Sequence, residues 1–358
     1  MLEHHRELYM IMKITTGLKP LVIGLMACAA LVAGAVHGHA AAAENTAAQT
    51  LHMIIGDPES SEMGFVAKTF KEYVEKQSKG ALAVSYRFNR DPAEDEGVHF
   101  HRVQIGKLDL AIGGVSNLAP MTKRLDVVTL PYLFPTVDDV VKGTEGKAAE
   151  LLNSYALEAG LRILAWTYSG YRNISNSQHP ITTLDDLRGL RIRVPQSYVM
   201  AETYRALGAI PSLVQWENTR AGLSEHAIDG QCYGYIGFEA MDFLGAGQKY
   251  LTEMRHVYNL QPLVINEKRF QALPADQQSL LIAAGMYAQR QVLIFEQQQA
   301  KLRKEALMAK GLRVAQLADE PVWKNIALTK VWPKVMDSLG GKETVNAYLK
   351  SMGRPTLP

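Results

Sequence analysis

Arginines that could bind a carboxylate lie close together in the middle of the chain. Arg191 and Arg193 belong to the segment RIRV at 191–194, whose alternation with apolar residues is typical of a β-strand. A guanidinium can donate two parallel hydrogen bonds to a carboxylate, so either arginine could hold an organic acid with geometric selectivity. Because alternate residues of a strand share a face, the strand pattern alone does not distinguish Arg191 from Arg193.

Residue patterns typical of hydrolases and metal enzymes are absent from the sequence. No Gly-x-Ser-x-Gly segment marks a hydrolase nucleophile. His99 and His101 are two residues apart and would not share a helix face, whereas metal sites in proteins usually need three or four ligands. Cys232 could in principle act as a nucleophile, although a free cysteine is more often a small hydrophobic residue. We therefore expect no catalysis, no metal and no cofactor, and we keep a periplasmic hydrolase as an alternative that a turnover assay with esters and amides would reveal.

The beginning of the chain has the pattern of a secretory signal peptide. Lys13 and Lys19 precede an apolar run at 21–36, and small residues follow. The run is shorter than the roughly 20 residues that a membrane-spanning helix needs. We expect residues 1–43 to form the signal peptide, with cleavage after Ala40 or three residues later, and the mature protein to lie in the periplasm.

Cysteine content and charge narrow the classes of protein further. Cys28 follows the residues LMA, which resemble a lipoprotein signal, so a lipid anchor at Cys28 is an alternative. Without the signal peptide only Cys232 remains, and the fold would depend on its core rather than on an intrachain disulfide. The chain carries 38 Lys and Arg against 36 Asp and Glu, a net charge of +2. This balance predicts neither a nucleic-acid partner nor binding to anionic lipid.

The elements that would position these residues alternate along the chain. Short apolar strands between amphipathic helices predict an α/β fold with helices on both faces of mixed or parallel sheets. Strands are predicted at 51–56, 83–88, 108–113, 163–168, 191–194 and 227–232, and helices at 61–78, 95–105, 137–155 and 197–207. One long helix is predicted from Pro274 to about Lys310, because proline suits a first turn and Gly311 follows the end.

Several segments also match the motifs of a known family. The segment DLRGLRIRVP at 186–195 resembles the motif DL(K/R)GL(K/R)IRVP. Other segments match in the family's order: GKLDL at 106–110, LPYLF at 130–134, GYRNISN at 170–176, IDGQ at 228–231, KYL at 249–251 and LPAD at 273–276. On these residues the chain resembles the solute-binding proteins of tripartite ATP-independent periplasmic (TRAP) transporters, the DctP-like family.

This resemblance implies a periplasmic binding protein fold of two α/β domains. In the family, crossover strands join the domains and a long helix spans both. Carried onto this chain, domain I would cover 51–170 plus 259–298, and domain II would cover 171–258 plus 299–358. The ligand is then expected between the domains, which close around it by a hinge motion.

The resemblance also implies two arginines that hold the ligand. Arg193 takes the place of the arginine in IRVP, which binds the ligand carboxylate in the family. Arg172 matches a second family arginine, which supports the same carboxylate or another ligand oxygen. Glu96 falls where many relatives have an acidic residue, and a carboxylate there could accept hydrogen bonds from ligand hydroxyls.

Other candidate ligand contacts include departures from the family pattern. Tyr233 replaces an asparagine that often touches the ligand, and Trp216 takes the place of an aromatic residue that packs on it. Asn218 stands where relatives often have a glutamate. Further candidates for polar contacts with the ligand are Gln196, Asn117 and Asp57.

The function that the resemblance implies is capture of a small carboxylate for uptake. The partners would be the small and large TRAP membrane subunits, and we expect the binding protein to be monomeric. Glu96 favours a sugar acid such as a uronate or aldonate over a plain dicarboxylate; a C4-dicarboxylate or a 2-oxo or hydroxy acid is the alternative. A sensory binding protein of the same fold is another alternative, because fold does not determine function. Neighbouring genes for the membrane subunits would distinguish transport from sensing.

Overall fold

The computed structural model describes residues 49–89, 91 and 94–358. The predicted signal peptide at 1–43, with its cleavage site and Cys28, lies outside the described residues. The strands are β1 (Gln49–Ile55), β2 (Leu82–Phe88), β3 (Leu110–Ile112), β4 (Leu161–Tyr171), β5 (Asn173–Asn176), β6 (Arg191–Val194), β7 (Ile210–Leu213), β8 (Gly230–Tyr233), β9 (Tyr250–Glu253), β10 (Tyr258–Asn266) and β11 (Arg313–Gln316). The α-helices are α1 (Glu62–Gln77), α2 (Glu96–Gln104), α3 (Val115–Leu118), α4 (Val137–Thr144), α5 (Gly146–Glu158), α6 (Leu184–Leu187), α7 (Tyr198–Ala206), α8 (Thr219–Ser224), α9 (Tyr235–Ala240), α10 (Glu267–Gln271), α11 (Ala275–Ala309), α12 (Glu320–Ile326), α13 (Trp332–Val335) and α14 (Lys342–Ser351).

The first sheet has the strand order β2-β1-β3-β10-β4. Strands β2, β1 and β3 run parallel, while β10 is antiparallel to both of its neighbours, β3 and β4. All nine residues of β10 are buried, as expected of a strand covered on both faces. Helix α1 packs on this sheet through Val66, Phe70 and Val74, whose spacing places them on one helical face. The sheet and the helices packed on it form what we call the first lobe.

The second sheet has the strand order β11-β9-β5-β8-β6-β7 and forms the centre of the second lobe. Strand β5 is antiparallel to both β8 and β9, whereas β6 is parallel to β7 and β8. One core of this lobe includes Ile192, Val194 and Trp323, and another surrounds Phe238 and Phe243. The mixed sheets with helices around them confirm the predicted α/β class.

The two lobes are joined by short crossovers and by the long helix. Only Arg172 separates β4 of the first sheet from β5 of the second, and the chain returns between β9 and β10. Helix α11 is 35 residues long, and near its middle Phe295 stacks on Phe65 of α1 with 4.3 Å between ring centroids. Further along, Arg303 donates to Glu239 at 2.7 Å in the second lobe. The long helix therefore braces both lobes, as predicted.

Two features differ from the sequence-based expectations. The single helix predicted at 137–155 is wrong, because α4 and α5 are separated at Glu145, which is extended, and Gly146 has φ +54°, a conformation that favours glycine. The domain boundaries stay a prediction, although Trp332 and Tyr348 are buried in the first lobe's core rather than the second's. Among the described residues, no helix has both the length and the apolar character needed to cross a membrane.

Candidate functional site

A small cavity lies between the two lobes and collects most of the candidate residues. It is lined by Glu96, Gly114, Ser116, Asn117, Arg172, Arg193, Pro195, Trp216, Tyr233 and Gln261. Its volume is about 10 Å³, which is room for about one water molecule. Hydrogen bonds cross the cleft beside it, from Gln215 to Asp95 and from Ser197 to Asp126, each at 2.7 Å. The structure therefore shows the cleft closed.

Arg193 is one of two buried cations that line this cavity. Its strand, β6, is flanked by β7 and β8, and only 3% of the residue is exposed. Nε donates to the Val214 carbonyl at 2.9 Å, and among the described residues we find no other hydrogen-bond acceptor and no ion-pair partner for the side chain. Burial, together with the charge of Arg172, lowers the pKa of Arg193 to about 10. The guanidinium thus has hydrogen-bonding capacity and positive charge that the protein does not neutralise by a direct ion pair.

Arg191 differs sharply from Arg193, although the two share a strand. Its side chain is 42% exposed and forms a two-point ion pair with Asp229, with Nε and Nη2 donating at 3.0 and 2.8 Å. The Arg191 backbone N–H also donates to Asp229 at 2.8 Å. The hydrogen-bonding groups of Arg191 are therefore occupied within the protein. The structure thus distinguishes Arg191 from Arg193, which strand alternation alone could not do.

Arg172 reaches the same cavity from the crossover between β4 and β5. Nη1 donates to the Cys232 carbonyl at 2.7 Å and Nη2 donates to Asn259 Oδ1 at 2.8 Å. Only 5% of the residue is exposed, and among the described residues it has no ion pair. Carbonyl and amide oxygens hold its position without cancelling its charge, so it adds positive potential beside Arg193.

Glu96 is the acidic group on the first-lobe side of the cavity. It begins α2 and is 3% exposed, and its Oε2 accepts from the Gly114 backbone at 2.7 Å and from Asn117 Nδ2 at 2.6 Å. An ideal Cβ at Gly56 would lie 2.0 Å from Glu96 Oε1, so only glycine there leaves room for this carboxyl. Burial raises the pKa of Glu96 to about 8, and Glu217 and Asp57 add to the rise. Below that pH Glu96 is mainly protonated, and the charge of the two arginines predominates.

Asp57, Trp216 and Tyr233 form a hydrogen-bonded unit beside the arginines. Asp57 follows β1 of the first lobe, is fully buried, and accepts from Trp216 Nε1 at 2.6 Å and from the Tyr233 hydroxyl at 2.7 Å. The two rings stack with 4.7 Å between centroids and 20° between planes. Gln261 Nε2 donates to the same Tyr233 hydroxyl at 2.7 Å. Asp57 is thus brought to the site but does not line the cavity, and it ties the second-lobe rings to the first lobe.

Gln196 lies outside the cavity, unlike Asn117. The side chain of Gln196 is exposed, and its backbone N–H approaches Asn117 Oδ1 at 3.4 Å. Asn117 lines the cavity and donates to Glu96. Its amide therefore orients the acidic group, whereas Gln196 lies at the edge of the cleft.

Glu217 is a site residue that the sequence analysis missed. Its Oε1 accepts from Asn89 Nδ2 at 3.4 Å across the cleft, and its Oε2 is buried without a hydrogen bond to any described residue. Burial raises the pKa of Glu217 to about 7, although the nearby cation of Arg193 acts to lower it. The family pattern places a glutamate one residue later, at Asn218, so a one-residue offset was the signal that could have identified it.

Glu62, the first residue of α1, is another buried carboxyl group, and it leads to a prediction about the pH dependence of stability. Burial raises the pKa of Glu62 to about 8; its Oε1 accepts from Ser169 at 3.0 Å and its Oε2 is buried without a partner among the described residues. A carboxyl whose pKa is raised by folding stabilises the fold below its unfolded value, and this stabilisation is lost as pH rises through the folded value. We therefore expect the melting temperature to fall between pH 5 and pH 8.

The Glu62→Gln variant tests the origin of that pH dependence. Glutamine keeps the shape of the side chain but does not titrate, so the slope of stability against pH should flatten, by roughly a few kcal/mol over this range. Denaturant titrations at pH 5 and pH 8 measure the difference. Glu59→Gln is the matched control, because Glu59 is exposed in the turn just before α1. Equal slopes in the wild type and Glu62→Gln would contradict the assignment.

Similarity to known proteins agrees with this geometry. The family model "Bacterial extracellular solute-binding protein, family 7" (DctP) matches residues 55–338. The 2,3-diketo-L-gulonate-binding periplasmic protein YiaO of Escherichia coli (strain K12) is 26% identical over 255 residues, covering 70% of this chain and 77% of that protein.

Two solved structures share the fold. The sugar acid binding protein DctPAm from Advenella mimigardefordensis, in complex with galactonate, is 23% identical, with a TM-score of 0.80 and coverage of 86% of this chain and 98% of that one. A TRAP periplasmic solute-binding protein from Shewanella oneidensis, with bound succinate, is 24% identical, with a TM-score of 0.79 and coverage of 86% and 100%. With the family match over most of the chain, these findings establish that the protein belongs to the DctP family of bacterial extracellular solute-binding proteins.

Proposed function

We propose that the chain is the periplasmic binding subunit of a TRAP transporter and captures a small sugar acid between its lobes. The predicted signal peptide would direct its export, and the small and large membrane subunits would receive the ligand. Family membership supports a role in solute binding. The identity of the ligand rests on the chemistry of the cavity.

The observation that carries this proposal is the state of Arg193. A buried cation without a counter-ion costs several kcal/mol, and a carboxylate ligand would provide the missing negative charge. Only Nε of Arg193 is used, by the Val214 carbonyl, so the two terminal nitrogens remain for a two-point contact with a carboxylate. Arg172, held by neutral oxygens, strengthens the attraction for an anion.

The preference for a sugar acid rests on two polar side chains that the first lobe contributes to the cavity. Glu96 and Asn117 line it, and carboxyl and amide groups can exchange hydrogen bonds with ligand hydroxyls. Two of the similar proteins, from E. coli and A. mimigardefordensis, are described as binding 2,3-diketo-L-gulonate and galactonate. A polyhydroxylated acid would offer a carboxylate to the arginines and hydroxyls to Glu96 and Asn117.

A C4-dicarboxylate is the second candidate, favoured by Arg172. Two buried guanidiniums could each hold one carboxylate, and the S. oneidensis protein was solved with succinate. Such a ligand would leave Glu96 without a hydroxyl partner and would place a second negative charge in the cavity that it lines. Direct comparison of erythronate with succinate distinguishes the two ligand classes.

A thermal-shift screen of organic acids tests the proposal. Aldonates, uronates, C4-dicarboxylates and 2-oxo or hydroxy acids would each be added to the purified mature protein. A ligand at 100 times its dissociation constant stabilises the fold by about 2.7 kcal/mol, so we expect a clear rise in melting temperature with sugar acids. Absence of a shift with every acid would contradict the proposed function, and a shift with dicarboxylates alone would favour the second candidate.

A further inference from the structure

The rings of Trp216 and Tyr233 form an aromatic wall of the cavity, and Tyr233 is fixed within it. Its ring stacks on Trp216. It also packs against α9 at Gly237, where an ideal Cβ would lie 1.8 Å from Tyr233 Cε1. These two contacts hold the ring in place.

The hydroxyl of Tyr233 is occupied within the protein. It donates to Asp57 Oδ2 and accepts from Gln261 Nε2, both at 2.7 Å. Because Asp57 also accepts from Trp216 Nε1 at 2.6 Å, one carboxyl holds both rings in place. With its donor used and an acceptor position filled, Tyr233 presents mainly its ring to a ligand rather than a free polar group.

The wall lies directly against the two cavity arginines. The guanidinium carbon of Arg172 is 5.2 Å from the centroid of the Tyr233 ring, and that of Arg193 is 5.2 Å from the centroid of Trp216. The cavity that the rings and the guanidiniums line together with Glu96 and Asn117 has a volume of only about 10 Å³. An acid bound to the guanidiniums would therefore have to share this small space with the fixed ring of Tyr233.

We propose that Tyr233 is a specificity-determining residue whose ring limits the length of the acid that the closed cleft accepts. We accordingly expect the four-carbon acid of a series to bind more tightly than the six-carbon one. This inference rests on the proposed function and adds the size of the ligand to it. A smaller side chain at this position would leave space beside Arg172 for a longer acid.

A series of aldonates of increasing length, titrated by calorimetry, tests the inference. The probes are glycerate, erythronate and galactonate, which share a carboxylate and a 2-hydroxyl. One carbon too many in a fitted pocket changes binding by about 10- to 200-fold, so we expect the wild type to bind erythronate at least about tenfold more tightly than galactonate. The Tyr233→Ala variant should reduce that ratio by a similar factor.

Two further variants keep the inference testable if alanine impairs folding. Tyr233→Phe keeps the ring but loses the bonds to Asp57 and Gln261, so it should weaken all three acids while keeping their ratio within about twofold. Tyr233→Leu removes the planar ring but keeps an apolar side chain, and it should reduce the ratio as alanine does. Circular dichroism would establish that each variant is folded.

The outcomes separate this inference from the function on which it rests. A wild type that binds galactonate as tightly as erythronate, or a ratio unchanged in folded Tyr233→Ala or Tyr233→Leu, would overturn the role of Tyr233 while leaving a carboxylate-binding function intact. Failure of the wild type to bind any carboxylate in the wider acid screen would overturn the proposed function and this inference with it.

Discussion

Replacing Arg193 by lysine is expected to weaken binding of the acid almost as much as replacing it by alanine. Lysine keeps the charge, but it is a point donor on a flexible stem and cannot make two parallel hydrogen bonds to a carboxylate. Removing one member of a buried, hydrogen-bonded charge pair costs roughly 2–5 kcal/mol, which corresponds to an affinity loss of about 30-fold to several thousandfold. Calorimetry on the folded variants measures it. Wild-type affinity in Arg193→Lys would contradict the two-point contact even if the site is correct.

The second large effect concerns the ligand rather than the protein. A sugar acid should bind far more tightly than the neutral compound of the same length, for example erythronate against erythritol. A neutral ligand in the closed cleft would leave the charges of Arg193 and Arg172 unpaired, and this loss is again roughly 2–5 kcal/mol.

Parallel titrations of each acid and its neutral counterpart test this expectation at one pH and salt concentration. Burial raises the pKa of Glu96 to about 8. Titrations at pH 6 therefore keep Glu96 mainly protonated. Comparable affinities for an acid and its neutral counterpart would show that the arginines do not select the ligand by charge.

Local features of the fold could be predicted from the sequence where the signals are strong. Strand β6 was predicted at its observed bounds, and α11 within one residue at each end, because Pro274 and Gly311 mark its limits. The break between α4 and α5 was missed although Gly143, Thr144 and Gly146 lie there, because isolated glycines also occur within helices. The left-handed conformation of Gly146 becomes visible only in three dimensions.

Contacts between distant segments decide the chemistry of the site, and they were beyond sequence patterns. Arg191 and Arg193 are equivalent by alternation, but Asp229, 38 residues beyond Arg191, pairs with one and not the other. Asp57 and Tyr233 are 176 residues apart in the chain and share a hydrogen bond of 2.7 Å. Family motifs identified the cavity residues, whereas the partners that fix their roles depend on how the lobes pack.

The most direct measurement of the central claim is calorimetric titration of one acid, taken from the screen, into three proteins. These are the wild type, Arg193→Ala and the matched control Arg191→Ala. Since Arg191 is half-exposed and paired with Asp229, its variant should bind within a few-fold of the wild type, as surface substitutions usually do. Arg193→Ala should lose at least about 30-fold. If Arg191→Ala loses binding while folded Arg193→Ala still binds the acid, the account is contradicted, because the carboxylate would then be bound by Arg191 rather than Arg193.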